Sequence, residues 1–171
     1  SLLSAMPSSM PSTLNLIELR SEADLNMCFD LRRGRTRNGV VIQLLECNGT
    51  PSQHWLIDSE GYIRSALDYN KCVDLRGPST GLGTQIQIWD CVDNYQYQQW
   101  SYQSDSTIHP VLGYDRCINI QKADFQGIHL WECNHTIDEI WEPSSGQLVR
   151  KMTLHHLQLL SVFVCLIVLH P

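Results

Sequence analysis

The stretch from Cys72 to Trp100 holds the residue types that chemistry would draw on. Two carboxylates, Asp74 and Asp90, stand with an amide at Gln87 and an indole at Trp89, and the stretch closes on Gln98-Gln99-Trp100. An acid/base pair needs one carboxyl held protonated by its surroundings, and nothing adjacent would do that for Asp74 or Asp90. No serine or cysteine nucleophile stands near a base in any motif. The pattern argues against catalysis, and no cofactor is expected. Seven cysteines, at 28, 47, 72, 91, 117, 133 and 165, form no Cys-x-x-Cys pair and no close Cys/His cluster of zinc-ligand spacing, so no metal is expected either. The first six fall into pairs 19, 19 and 16 positions apart. That regularity reads as three local disulfides and an oxidising compartment. Spacing alone leaves the connectivity open.

The elements that position these residues must come from a chain of 171 residues, long enough for one domain with a real core. A formal charge of −6 argues against a nucleic-acid partner, whose phosphates need a basic face. The local exception is Arg32, Arg33, Arg35 and Arg37, which reads either as a solvated loop or as contact with an anionic partner. Two sequons, Asn48-Gly-Thr50 and Asn134-His-Thr136, agree with passage through a secretory route. Pro51 directly after the first lowers its expected use.

Residues 1–12, SLLSAMPSSMPS, read as a linker or precursor remnant, and no signal peptide is visible. From about Thr13 the chain repeats. Cys28, Cys72 and Cys117 are 44 and 45 residues apart, and Trp55, Trp100 and Trp141 are 45 and 41 apart. Nine residues before each leading cysteine sits Leu19, Ile63 or Ile108, and two after it comes Asp30, Asp74 or Asn119. An alternating strand precedes each second cysteine. Each unit holds roughly four short β-type runs between turn signals, and none keeps a helical period. One unit cannot bury its apolar face, so three copies must share a core. Twelve short strands in three units predict a closed threefold β architecture without exposed sheet edges.

The motifs carry a family resemblance. They are Cys28-Phe-Asp30, Gln43-Leu-Leu-Glu-Cys47 and Gln53-His-Trp55 in the first unit. The second has Cys72-Val-Asp74, Gln87-Ile-Trp-Asp-Cys91 and Gln98-Gln-Trp100, and the third Cys117-Ile-Asn119, His129-Leu-Trp-Glu-Cys133 and Glu139-Ile-Trp141. Residues 13–143 resemble the ricin-B-type (R-type, QxW-repeat) lectins. The resemblance implies an all-β fold, a β-trefoil of three QxW-type repeats, and pairing of Cys28 with Cys47, Cys72 with Cys91 and Cys117 with Cys133. It also implies non-catalytic binding of glycans or glycoproteins, with galactose and GalNAc the commonest ligands among relatives.

In such a site an aromatic ring covers the C–H face of a sugar, a carboxylate accepts from neighbouring hydroxyls, and amides donate and accept at the rim. The second repeat carries the full set: Trp89 for stacking, Asp74 for the hydroxyl clamp, and Gln87 with Gln98 for the rim, although the resemblance gives Gln53 and Gln98 mixed roles, bracing the fold or reaching toward the site. Tyr97 stands where relatives often have an asparagine contact. The first repeat keeps Asp30, Gln43 and Gln53 but has Leu45 in place of the ring. The third keeps Trp131 but has Asn119, His129 and Glu139 in place of acid and amides. Both are expected to be weaker sites. The QxW tryptophans are expected in the core.

After Pro143 the character changes. Ser144-Ser145-Gly146, a polar spacer from Gln147 to His156, and an apolar run from Leu157 to Leu169 match the layout of a GPI-attachment signal. The run is short of the roughly 20 residues of a spanning helix. A short tail-anchor and a read-through tail are the alternatives, and Cys165 is expected to be unpaired. His155-His156 reads as a membrane flank. The chain is thus expected to be secreted or held at the extracellular surface. Two other readings stand beside it: a lectin module of a larger glycosyltransferase or glycoside hydrolase, and a β-trefoil scaffold that binds protein.

Overall fold

The computed structural model describes residues 15–120 and 127–144. The expected linker at 1–12, Cys165 and the tail beyond Ser144 with its attachment signal lie outside the described residues.

Each unit supplies four strands. The first has β1 (Leu19–Ser21), β2 (Asp24–Leu31), β3 (Ile42–Glu46) and β4 (Trp55–Ile57). The second has β5 (Ile63–Ser65), β6 (Asp68–Leu75), β7 (Ile86–Asp90) and β8 (Trp100–Tyr102). The third has β9 (Ile108–Pro110), β10 (Arg116–Asn119), β11 (His129–Glu132) and β12 (Trp141–Pro143). A single 3-10 turn leads into the last strand of each unit, at Pro51–Gln53, Gln96–Gln98 and Ile137–Glu139. No helix among the described residues is long and apolar enough to cross a membrane.

The first and last strands of the units close a barrel. Antiparallel ladders join β12 to β1, β4 to β5 and β8 to β9. Single bridges complete the ring within each unit: Ile17 to Trp55, Tyr62 to Gln99, and Thr107 to Ile140. The middle strands form three hairpins, β2–β3, β6–β7 and β10–β11. They meet in a triangular cap through the Val41–Gln87 and Gln85–His129 bridges and a 3.0 Å bond from Ile128 N–H to Ile42 C=O. Closure leaves no free barrel edge, which is why strands of three residues suffice.

The core shows the same threefold logic. Trp55, Trp100 and Trp141 are buried, and their indole N–H groups donate to the carbonyls of Phe29 (2.9 Å), Val73 (2.9 Å) and Ile118 (3.0 Å). Each large apolar ring thus enters the core with its polar atom satisfied. Phe29 meets Trp55 and Trp141 edge-on, with ring centres 5.2 and 5.3 Å apart, so the units touch through their aromatics. No unit closes this core alone.

The disulfides pair as the resemblance implies: Cys28–Cys47, Cys72–Cys91 and Cys117–Cys133, with Cα–Cα distances of 5.1, 5.0 and 5.2 Å. Each staples the open end of one cap hairpin. Closing loops of this size contributes about 3 kcal/mol each on the chain-entropy account. One glycine is demanded by packing. Gly61 has φ +87, and a Cβ there would lie 2.6 Å from the Trp100 carbonyl oxygen, at the seam between β5 and β8.

Candidate functional site

Register sets the site. On the β6–β7 hairpin Asp74 stands opposite Gln87 and Cys72 opposite Trp89. Because side chains alternate along a strand, Asp74, Gln87 and Trp89 share one face. They border a cavity of about 350 Å³. Gly77 and Pro78 from the β6–β7 loop, and Val92 and Tyr95 from the loop after Cys91, supply further walls.

Trp89 is 42% exposed, a large ring open to solvent beside a buried acid. The preceding unit braces it. A Cβ on Gly39 would sit 3.8 Å from Trp89 Cζ3 and 3.9 Å from Gln87 Oε1. Asn38 is anchored close by, its Nδ2 donating to Asp90 Oδ2 at 2.7 Å and its Oδ1 accepting from Lys71 Nζ at 2.7 Å.

Asp74 lies on the cavity floor and is 5% exposed. Its Oδ1 accepts from Gln87 Nε2 at 2.8 Å and its Oδ2 from Gln98 Nε2 at 3.1 Å. Burial raises its pKa above the ordinary carboxylate value, and the two amide bonds oppose that shift. A carboxylate has about four lone-pair sites, so two held amides leave acceptor capacity for a ligand hydroxyl.

Of the two roles open to Gln98, bracing the fold and reaching the rim, the structure shows the brace. Gln98 is fully buried, and its amide also donates to Asp90 C=O at 2.9 Å and accepts from Val92 N–H at 2.9 Å. It holds Asp74 from beneath and ties down the loop that carries Tyr95. Tyr97 differs from its expected contact role. It packs against the core, and Tyr95, with its ring centre 5.4 Å from that of Tyr97, borders the cavity instead. A spacing signal for this existed: Cys91 to Gln98 is 7 positions, whereas Cys47 to Gln53 and Cys133 to Glu139 are each 6. The extra residue lets the second loop present Tyr95.

In the first unit Asp30 is 1% exposed, with Oδ1 accepting from Gln43 Nε2 at 2.8 Å and Oδ2 from Ser52 Oγ at 3.1 Å. Burial raises its pKa as well, against the bonds from Gln43, Ser52 and Gln53. Gly34 packs on Ser52, a Cβ there lying 4.0 Å from Ser52 Cβ, so a serine and a turn close over the acid. Leu45 is exposed where the ring would be. Gln53 is fully buried and bonds Glu46 C=O and Asn48 N–H.

The third unit pairs its residues with reversed polarity. Asn119 Nδ2 donates to Glu139 Oε2 at 3.4 Å, and Glu139, fully buried, accepts from the N–H groups of Asn134 and Thr136. His129 stands opposite Asn119, and Trp131 opposite Cys117. Trp131 is half-buried and braced like Trp89, with a Cβ on Gly83 falling 3.8 Å from its Cζ3. Residues 121–126, in the β10–β11 loop, lie outside the described residues.

The sequon asparagines take equivalent places. Asn48, Val92 and Asn134 each donate backbone N–H to the side-chain oxygen of Gln53, Gln98 or Glu139. Asn48 and Asn134 are exposed at the first and third units, where the second has the cavity-lining Val92. Among the described residues one His/Cys cluster is present: His109 lies 3.5 Å from the sulfurs of both Cys117 and Cys133. Those sulfurs are spent on the disulfide, which leaves no thiolate to ligate a metal.

Comparison with known proteins agrees with this architecture. The family profile described as the ricin-type β-trefoil lectin domain matches residues 59–157, and a second, ricin-type β-trefoil lectin domain-like, matches residues 11–89. No curated protein matches the chain. Among solved structures, the agglutinin from Abrus precatorius superposes with a TM-score of 0.64 at 19% identity, over 78% of this chain and 48% of its own. The β-trefoil lectin of the Vibrio vulnificus hemolysin/cytolysin, with N-acetyl-D-lactosamine bound, gives 0.61 at 20% identity, over 75% of this chain and 92% of its own. The C-half of the earthworm R-type lectin, in complex with GalNAc, gives 0.60 at 20%, over 75% and 96%. The chain spans about half the length of the agglutinin chain it matches. With three QxW-type units, three unit disulfides and a closed trefoil, the chain belongs to the ricin-type β-trefoil lectin domain family.

Proposed function

We propose that this chain is a non-catalytic carbohydrate-binding module whose working site is the second repeat, taking a galactose-type residue, galactose or GalNAc. The observation that carries the reading is the exposed Trp89 ring standing over the buried, amide-held Asp74 in one cavity. The ring matches the apolar face of a sugar, and the spare acceptor capacity of Asp74 matches adjacent hydroxyls. The GalNAc and N-acetyl-D-lactosamine complexes of the earthworm and Vibrio lectins support the galactose-type assignment. The closure over Asp30 and the reversed pair at Asn119 and Glu139 support a single working site. One shallow site binds weakly, and presentation of many copies raises avidity.

Partners would be glycans or glycoproteins. Three disulfides and two exposed sequons support a secreted or extracellular-surface location, with Asn48 and Asn134 as glycosylation sites and the tail as a membrane attachment. A second reading is the lectin module of a larger glycosyltransferase or glycoside hydrolase; that this chain spans about half of the agglutinin chain supports a module of a longer chain and not the enzymatic part of that reading.

The test is a glycan array on the full chain, with Asp74→Ala and Trp89→Ala alongside. Galactose-type ligands should bind the parent and be lost in both variants. Binding that survives both substitutions would sink the proposal and favour a different surface.

A further inference from the structure

The basic stretch between β2 and β3 is not used by the proposed sugar site. Of the chain's 12 Lys and Arg, Arg32, Arg33, Arg35 and Arg37 crowd into one loop of a chain with net charge −6. Together with Gly39, Val40 and Val41 they line a second cavity, of about 260 Å³. Arg33, Arg35 and Arg37 are exposed, and among the described residues no carboxylate forms an ion pair with any of them. By contrast Arg20, Arg64, Lys71 and Arg116 each sit on an acid. The guanidiniums of Arg33, Arg35 and Arg37, gathered without an ion-paired carboxylate, repel one another, and an anion bound among them removes that repulsion.

Backbone conformation adds an independent observation. Arg33 has φ +60, the left-handed region that side chains rarely adopt, while the equivalent position of the second unit is Gly77 at φ +67. The first unit keeps an arginine where its neighbour uses the residue suited to that conformation. Asn94, Ser106 and His135 also take positive φ, but at Arg33 the conformation falls in the wall of the arginine-lined cavity, which motivates a functional reading there.

Position decides what kind of anion. Gly39 forms a wall of the arginine-lined cavity, and the same residue packs against Trp89, which borders the sugar cavity. The two cavities thus adjoin at the Gly39–Trp89 contact. We propose that the arginine-lined cavity is an anion subsite that receives the sulfate ester or carboxylate of an acidic glycan whose neutral sugar lies on Trp89. This rests on the lectin reading above. It makes the chain selective for acidic over neutral galactosides, with the first unit serving the second across their seam. Arginine suits both groups, since its planar fork meets the two oxygens of a carboxylate or sulfate in parallel.

The experiment compares N-acetyllactosamine, its 6-sulfated form and its sialylated form by calorimetry at low and physiological salt. It uses the full chain and the triple variant Arg33→Gly/Arg35→Gln/Arg37→Gln. Three exposed charge contacts should tighten an acidic ligand about tenfold over its neutral parent. Added salt should erode the gap. The triple variant should lose the gap and keep the neutral affinity, and Arg33→Gly relieves the strained position, so folding is preserved. Whichever acid binds better identifies the source of the anion. Equal affinity for neutral and acidic ligands, or a gap that survives in the triple variant, overturns the subsite. If no galactoside binds at all, the lectin reading fails on its own. Inorganic sulfate followed by the NMR shifts of arginine Nε–Hε then decides the subsite: saturable shifts at Arg33, Arg35 and Arg37 support it, and unmoved signals overturn it.

Discussion

Asn119 Nδ2 points to Glu139 Oε2 at 3.4 Å, the reverse of the second unit, where Gln98 Nε2 donates to Asp74 Oδ2 at 3.1 Å. The two positions have exchanged acid for amide, and each unit still holds one donor against one acceptor. Complementarity of the buried pair is kept while the acid at the cavity-floor position is lost.

That exchange predicts a coupling. Asp74→Asn alone sets amide against amide beside fully buried Gln98 and should cost about 1–3 kcal/mol. Adding Gln98→Glu restores a donor–acceptor pair of the third unit's polarity. The double variant should therefore be more stable than the sum of the two single changes, by about 1 kcal/mol in a urea-denaturation cycle. Strict additivity would show that the pair is not coupled. Sugar binding should be lost in every member that lacks the Asp74 carboxylate.

Tyr95 and Tyr97 should separate binding from folding. Tyr95→Ala removes a cavity wall and should weaken galactoside binding several-fold with little change in thermal midpoint. Tyr97→Ala removes a ring packed on the core and should lower stability by about 1–3 kcal/mol. Titration calorimetry and thermal melts on both variants check this, and the opposite assignment of effects would refute the geometry.

The acid limb of binding should lie above the ordinary aspartate value. Burial raises the pKa of Asp74 above its model-compound value of 3.8. As pH falls through that raised value the carboxylate protonates and loses acceptor capacity, so Trp89 fluorescence titrations between about pH 3 and 7 should show affinity falling with a midpoint above 3.8. Stability responds with the opposite sign. A carboxyl with a raised folded-state pKa contributes stability that is present below the unfolded value and lost as pH rises through the folded value. Protonation of Asp74 therefore weakens the ligand complex without itself unfolding the chain.

Gly61→Ala tests the barrel seam. The added Cβ meets the Trp100 carbonyl at 2.6 Å, and φ +87 is itself unfavourable for alanine. A loss of about 2 kcal/mol or more in denaturant unfolding is expected. An unchanged midpoint would mean the seam between β5 and β8 is looser than it stands.

Expression through a secretory pathway should add N-glycans at Asn134 and, less fully because of Pro51, at Asn48, read as mass shifts lost in Asn134→Gln and Asn48→Gln. Both asparagines stand at the places that Val92 takes beside the second-repeat cavity, but in the units expected to be weaker. Galactoside affinity should be the same with and without these glycans. A change on removing either one would contradict a single site at the second repeat.

The threefold repeat, the closed all-β fold and the core role of Trp55, Trp100 and Trp141 were legible in the sequence, because they depend on residues recurring at a fixed period. The pairing of six cysteines was legible through the family resemblance and not through spacing. Asp74, Gln87 and Trp89 could be placed together for a local reason: they face one another across a single hairpin, where alternation along two strands decides which side chains share a face. Whether Gln98 braces the fold or reaches the rim, and that Tyr97 packs on the core, were not legible, since both lie on a 3-10 turn whose orientation is set by packing across β6 and not by any periodicity. The same holds for Ser52 closing over Asp30, and for Gly39 of one unit bracing Trp89 of the next. Sequence determined the repeat and the hairpin that carries the Cys72–Trp100 set. Only the tertiary structure decided which of its polar groups stay open, because exposure is fixed by how neighbouring loops and units pack over them.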